Sequence, residues 1–208
     1  MSEYIKDLMC VVKYAQKNPD TLYELVVKIH GTVQRNTHQL TNIFSQYNEK
    51  GFIKDDAFSW RMDYINHFGE KRQYYYDNLM KILRSKKSKA IISDKVLELF
   101  LQADGLGLAK ASFAGLLATG MNEFSCLDSN LLKWNNLNPN ITNYNKKCKN
   151  KQKLKEWRQT YFGYVKKTGG GHYNYILWCD KIGEESKTFI DGIQVSSYHP
   201  IWFTREAR

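Results

Sequence analysis

The sequence predicts an all-α fold, and three observations carry that prediction. Apolar residues recur at three- and four-residue spacing through most of the chain, the pattern of helices that bury one face. Only three prolines, Pro19, Pro139 and Pro200, interrupt 208 residues, and proline is the residue that most firmly stops a helix. Strand signals are few; Gln194-Val195-Ser196-Ser197 is the best of them, and it is weak.

The elements follow in order. Tyr4, Leu8, Val11, Val12 and Ala15 make an apolar stripe. It ends before Asn18-Pro19-Asp20, because Pro19 disfavours helical geometry in the residue before it. A second helix is expected from about Asp20, its cap, to Arg35, with Leu22, Leu25, Val26 and Ile29 on one face. Others are expected near 37–48, 55–67 and 69–84. The last runs into Arg84-Ser85-Lys86-Lys87-Ser88-Lys89, either a loop or an edge facing phosphates. Ser93 or Asp94 is expected to cap the next helix, through Val96, Leu97, Leu99 and Phe100. A short helix after Asp128, an Asn-rich connection over 135–145, and helices near 150–166 and 172–184 complete the pattern. Gly169-Gly170-Gly171 is a turn or hinge between the last two, and Tyr198 to Phe203 form an aromatic tail. No linker or internal repeat divides the chain, so residues 1–208 are expected to form a single domain.

Composition bounds the function. The fractions of 42% hydrophobic and 14% aromatic residues exclude a disordered tail protein. No run of 18 apolar residues exists to span a membrane. The opening Met1-Ser2-Glu3-Tyr4-Ile5-Lys6-Asp7 is polar, unlike a secretory signal, and a cytoplasmic, DNA-associated location is expected. Cys10, Cys126, Cys148 and Cys179 are scattered with no C-x-x-C pair, which predicts reduced structural thiols. His30 and His38 have no further ligand nearby, so no metal site is expected. The formal charge is +10, which favours a polyanionic partner. Residues 146–155 hold six lysines and no acid, and Trp157, Arg158, Tyr161 and Tyr164 follow. Lysines among aromatics suit a phosphate-tracking surface or a solvated helix face; Lys147, Lys149 and Lys151 are the candidate DNA contacts.

Helical runs over 94–102 and about 109–119 flank Ala103-Asp104-Gly105-Leu106-Gly107-Leu108. Two glycines at a helix start let the backbone turn tightly and leave the first amides of the next helix unpaired. Those amides and the positive end of the helix dipole make a phosphate site needing no side chain. No strand precedes the pair and the third glycine is missing, so this is not a dinucleotide fingerprint.

The wider pattern, Leu-x-Ala-Asp-Gly-Leu-Gly-Leu-Ala-Lys-Ala-Ser, resembles the helix-hairpin-helix of the base-excision DNA glycosylase (HhH-GPD) superfamily. Phe124-Ser125-Cys126-Leu127-Asp128-Ser129-Asn130-Leu131-Leu132-Lys133 resembles that family's second motif, with Asp128 placed 18 positions after Lys110. The close match covers residues 97–133. The stretch from Leu177 to His199 also resembles bacteriophage proteins. The resemblance implies two helical lobes around a basic cleft, with the helix-hairpin-helix at about 94–119 and the aspartate segment at 124–134. It implies hydrolysis of the N-glycosidic bond of a damaged or modified base in double-stranded DNA, by a monomer without cofactor. No four-cysteine spacing suits an iron–sulfur cluster.

Breaking an N-glycosidic bond builds positive charge on the sugar, and a carboxylate held over it stabilises that charge and orients water. Asp128 is the candidate for this role, and equally a candidate N-cap. Gly105, Gly107 and Ala109 would offer amides to a phosphate. Family members that also cut the strand place a nucleophilic lysine two residues after the second glycine. Here that position is Ala109 and Lys110 is one further on, so Lys110 is either the nucleophile or a phosphate contact. A flipped base must stack on aromatics; Tyr75, His199 and Trp202 are the candidates. A non-catalytic helix-hairpin-helix DNA-binding protein and a viral enzyme acting on hypermodified bases are the alternatives.

Overall fold

The computed structural model describes residues 3–31, 59–142, 144, 147–185, 187–190 and 193–196. The helix expected near 37–48, and both His199 and Trp202, lie outside the described residues. Among these residues the regular structure is nine α-helices, one 3-10 turn and one two-stranded hairpin.

α1 (Glu3–Ala15) and α2 (Pro19–Gly31) meet where the proline predicts. Pro19 is the first residue of α2, a position where its missing N–H costs nothing. The cap is Asn18 and not Asp20: Asn18 Oδ1 accepts from the Thr21 amide at 2.9 Å, and Thr21 Oγ1 accepts from the Asn18 amide at 3.2 Å. Asp20 instead takes the Arg72 guanidinium at 2.6 Å. α3 (Ser59–Glu70) and α4 (Arg72–Leu83) follow almost without a break.

α5 (Lys89–Leu101) begins four residues earlier than Ser93. Lys89 and Ala90 are good helix formers, and Ser88 takes the N-cap position. The Ser93 hydroxyl donates back to the Lys89 carbonyl at 2.8 Å, while Asp94 receives Arg158 from a later helix at 2.8 Å.

α6 (Leu108–Thr119) is the central helix, with Leu108 and every residue from Ala111 to Ala118 buried. A helix buried all round needs neighbours on every side, and α1, α2 and α5 supply them. Small residues allow the approach: a Cβ on Gly115 would lie 2.9 Å from the Phe124 ring. The short α7 (Ser129–Trp134) and the 3-10 turn Pro139–Thr142 lead to α8 (Lys151–Lys167) and α9 (Gly171–Glu185). α9 starts hard against the segment after α6. A Cβ on Gly171 would lie 1.7 Å from the Phe124 carbonyl oxygen, so only glycine fits, and Asn122 Oδ1 accepts from the His172 amide at 2.8 Å. Buried apolar side chains from Ile5 to Cys179 form one contiguous cluster.

The fold is all-α as expected, with one small two-stranded hairpin added near its end. β1 (Lys187–Ile190) and β2 (Ile193–Ser196) pair antiparallel, Ile190 opposite Ile193 and Lys187 opposite Ser196. The weak strand signal at Gln194–Ser196 is β2. Its partner was signalled by Asp191-Gly192, the dipeptide that most favours a two-residue hairpin. No helix among the described residues is long and apolar enough to cross a membrane.

Candidate functional site

The turn between α5 and α6 is shaped by one obligatory glycine. Gly105 has φ +75°, and a Cβ there would come within 2.5 Å of the Tyr64 ring and 2.7 Å of the His30 ring. Those rings support the turn from α3 and α2. Leu106 and Leu108 are buried and anchor it from within. Gly107 differs: its φ is −84°, a Cβ would meet nothing within 4 Å, and it is exposed. It holds the N-cap position of α6 with no side-chain cap. The first turn of α6, Leu108 and half-buried Ala109 and Lys110, therefore opens at an uncapped positive helix end. Beside the turn, Asp104 lies 3.8 Å from His67 Nε2.

Asp128 is presented by a buried extended segment, Phe124–Leu127. Two elements hold that segment. Ser112 of α6 accepts the Ser125 amide on its hydroxyl at 3.0 Å. Tyr161 of α8, fully buried, donates its hydroxyl to the Ser125 carbonyl at 2.8 Å and accepts the Leu127 amide at 3.0 Å. Burial above all, with the Cys126 thiol next, pushes the Tyr161 hydroxyl well above its usual pKa. After Leu127 the chain turns sharply, the Asp128 amide donating to the Cys126 carbonyl at 2.8 Å. Half-buried Asp128 then caps α7, Oδ1 accepting the Leu131 amide at 3.0 Å.

The charges of Lys110 and Asp128 both act on one buried thiol. The Cys126 thiol is pushed up to about 11 by burial, with the Lys110 charge opposing and the Asp128 charge adding to the rise. The amine comes from the first turn of α6 and the carboxylate from the cap of α7. Sequence spacing alone could not establish that the two share a neighbourhood.

The lysine-rich segment divides into an outer and an inner set. Lys147, Lys149 and Lys151 are exposed. Asn150 caps α8, accepting the Lys153 amide at 3.0 Å, and Lys153 sits 5.3 Å over the half-buried Trp157 ring. Arg158 and Tyr161 do not join this surface. Arg158 faces inward, forked onto Asp94 at 2.8 and 3.3 Å, and Tyr161 supports the Asp128 segment. The period of α8 places both on its packed face, which the lysine count obscured.

Tyr75 is also corrected. It is 2% exposed, stacked on Phe68 at 4.2 Å, and its hydroxyl is pushed up to about 12, chiefly by burial. That packing leaves no face for a base. Sequence reasoning missed a pocket of about 650 Å³ between the α1–α2 turn and the α3–α4 junction, with Tyr14, Tyr23, Glu24, Asn66, Glu70 and Arg72 among its walls. No hairpin residue lines it, nor does Asp128. Cys10, Cys126, Cys148 and Cys179 are free thiols. No group of three or more His, Cys, Asp or Glu among the described residues is placed to hold a metal ion. Comparison of the chain with family models, with curated proteins and with solved structures gives no match.

Proposed function

We propose that this chain is a DNA glycosylase of the helix-hairpin-helix type, hydrolysing the N-glycosidic bond of a damaged or modified base in double-stranded DNA. The observation that carries the reading is the uncapped start of α6 together with the Asp128 segment that Ser112 of the same helix and Tyr161 hold in place. In this reading the duplex backbone lies against Gly105, Gly107 and Ala109, where amides and the helix dipole favour a phosphate. A basic cleft between two helical lobes would receive the duplex. Lys147, Lys149 and Lys151 extend the contact. They and Lys153 crowd the positive end of α8, whose first turn holds no acid. Cations there oppose the helix dipole, an arrangement that costs stability and attracts a polyanion.

Asp128 serves as cap and as catalyst together. A carboxylate accepts about four hydrogen bonds, so one oxygen on the Leu131 amide leaves capacity for the reaction. The fixed carboxylate stabilises positive charge on the sugar as the base departs and orients the attacking water. Lys110, one position beyond the nucleophile slot that Ala109 fills, steadies the phosphate or the carboxylate.

Asp128→Asn tests this cleanly, because asparagine caps as well as aspartate and only the charge is lost. Base release from a panel of duplexes carrying damaged or modified bases should disappear while duplex affinity holds. Base release at the wild-type rate would sink the assignment. Borohydride trapping on DNA, lost in Lys110→Ala, would restore Lys110 as nucleophile.

One observation favours a second reading, a DNA-binding module without chemistry: the bond from the Leu131 amide accounts for Asp128 as a cap alone. That reading expects duplex binding and no base release from either the wild type or Asp128→Asn.

A further inference from the structure

α4 and α5 pack together on either side of the turn Arg84-Ser85-Lys86-Lys87-Ser88. Between them opens a pocket of about 420 Å³ with Lys81, Ser85, Lys87, Lys95, Glu98 and Gln102 in its walls. Its size falls within the roughly 300–1,000 Å³ of ligand clefts. Three lysines meet a single carboxylate there, and that carboxylate is shared: Glu98 also faces the Arg158 guanidinium of α8. Lys87 and Lys95 line this pocket together, and the neighbouring Lys95 holds the exposed Lys87 ammonium below the ordinary lysine range. Two ammonium groups so placed repel each other, and an anion between them removes the repulsion.

The pocket also adjoins the hairpin. Gln102 is the residue after α5, and its Oε1 accepts the Tyr74 hydroxyl at 3.2 Å. The Tyr74 ring is 49% exposed, a large aromatic face open to stacking. Gln102 thus links the lysine pocket to the exposed Tyr74 and stands just before the glycine turn. Lys95 stands six residues before the end of α5. At 1.5 Å per residue that is about 9 Å along the helix.

We propose that the α4–α5 pocket formed by Lys81, Lys87 and Lys95 binds a phosphodiester of the nucleic-acid backbone, on the same strand path as the phosphate at the Gly105–Gly107 turn. The proposal rests on the reading of that turn as a DNA grip. Because the lysines are exposed, Lys87→Gln/Lys95→Gln removes charge without disturbing the core. Duplex affinity of the full chain is measured across a salt series for the wild type and this variant. Lys166→Gln/Lys167→Gln, an exposed pair in the last turn of α8, is the control for lost net charge.

The pocket variant should bind about ten- to a hundredfold more weakly at ~0.1 M salt, with a log–log salt slope shallower by about two. The control should bind as the wild type does. Wild-type affinity and slope in the pocket variant would overturn the proposal, as would an equal loss in the control. A third arm titrates inorganic phosphate into the wild type, followed by amide NMR shifts around Lys87 and Lys95. Saturable phosphate binding there with unchanged duplex binding in the variant would reassign the pocket to a small free phosphate compound. The turn fails separately: Gly107→Ala with undiminished duplex affinity sinks the grip, whatever the lysines do.

Discussion

Removing one oxygen from Tyr161 tests how the Asp128 segment is held. Tyr161→Phe keeps the ring, which is fully buried, and deletes only the hydroxyl that bridges the Ser125 carbonyl and the Leu127 amide. Both backbone groups are then left inside the core, where each unsatisfied polar group costs about 1–3 kcal/mol. The expected loss is about 2–6 kcal/mol, a large part of the roughly 5–15 kcal/mol that keeps a domain folded. Urea unfolding followed by tryptophan fluorescence reads it directly. With a slope of about 2 kcal/mol per molar, the midpoint should fall by about 1–3 M. A loosened segment should also expose the Cys126 thiol to alkylation, which its burial otherwise prevents. Under the proposed function, base release should fall further than duplex affinity does. A midpoint shift under about 0.3 M would refute the reasoning, because it would mean that the two backbone groups do not depend on the hydroxyl.

The two hairpin glycines should behave oppositely. Gly105→Ala meets both a left-handed backbone and the Tyr64 and His30 rings, and should cost about 1–3 kcal/mol in a thermal melt. Gly107→Ala meets neither and should stay within about 0.5 kcal/mol of the wild type. Arg158→Met should cost about 2–4 kcal/mol by leaving Asp94 without its fork. Arg158→Lys should recover only part of that, since an ammonium offers no bidentate geometry; full recovery would argue that charge alone matters. Stability should fall at alkaline pH. Cys126 and Tyr75 are held neutral in the fold, with values of about 11 and about 12 against 9.0 and 10.0 in the ordinary case. Between those limits the folded chain binds more protons than the unfolded one, so stability is intact below about pH 9 and declines as pH rises toward 12. The slope approaches about 1.4 kcal/mol per pH unit for each group, and a flat urea midpoint up to pH 11 would contradict this.

The sequence pattern was a good guide where burial has a period. α1 follows its apolar stripe closely, α6 and α8 fall within a residue or so of their expected ranges, and the tightly fitting Gly105 was marked by its place between two helical runs. It misled where several local choices compete for one role. Asn18, Asp20, Ser88, Ser93 and Asp94 are all residues that cap helices. Which of them does so depends on partners distant in sequence: Arg72 withdraws Asp20 and Arg158 withdraws Asp94. Aromatic residues posed the same difficulty. Nothing local distinguishes Tyr75, stacked on Phe68, from Tyr74 one residue away with its ring half exposed. Tyr161 has no motif of its own; its role exists only because α8 crosses the 124–128 segment.

The hairpin and the carboxylate are held in fixed relation by α6, and this is the strongest physical reason to treat them as one site. The helix carries the glycine turn at its N-terminus and, with Ser112 in its second turn, grips the Ser125 amide. Lys110 lies between these two attachments. α6 is buried along its length, and so closely packed a helix does not deform gradually. A backbone phosphate seated on the turn would therefore have its position relative to Asp128 set by α6, not by a flexible loop. The remaining freedom is rotation of the 125–127 segment about its Ser112 anchor, and the Tyr161 hydroxyl removes it. This division of labour makes a distinct forecast for paired substitutions. Ser112→Ala and Tyr161→Phe act on the same segment, so their combined effect should depart from the sum of the single effects, by about 0.5 kcal/mol or more. Gly107→Ala, whose added Cβ meets nothing within 4 Å, should add to either one independently. Coupling of Gly107→Ala with Tyr161→Phe would mean that the helix is not the rigid connection between turn and carboxylate.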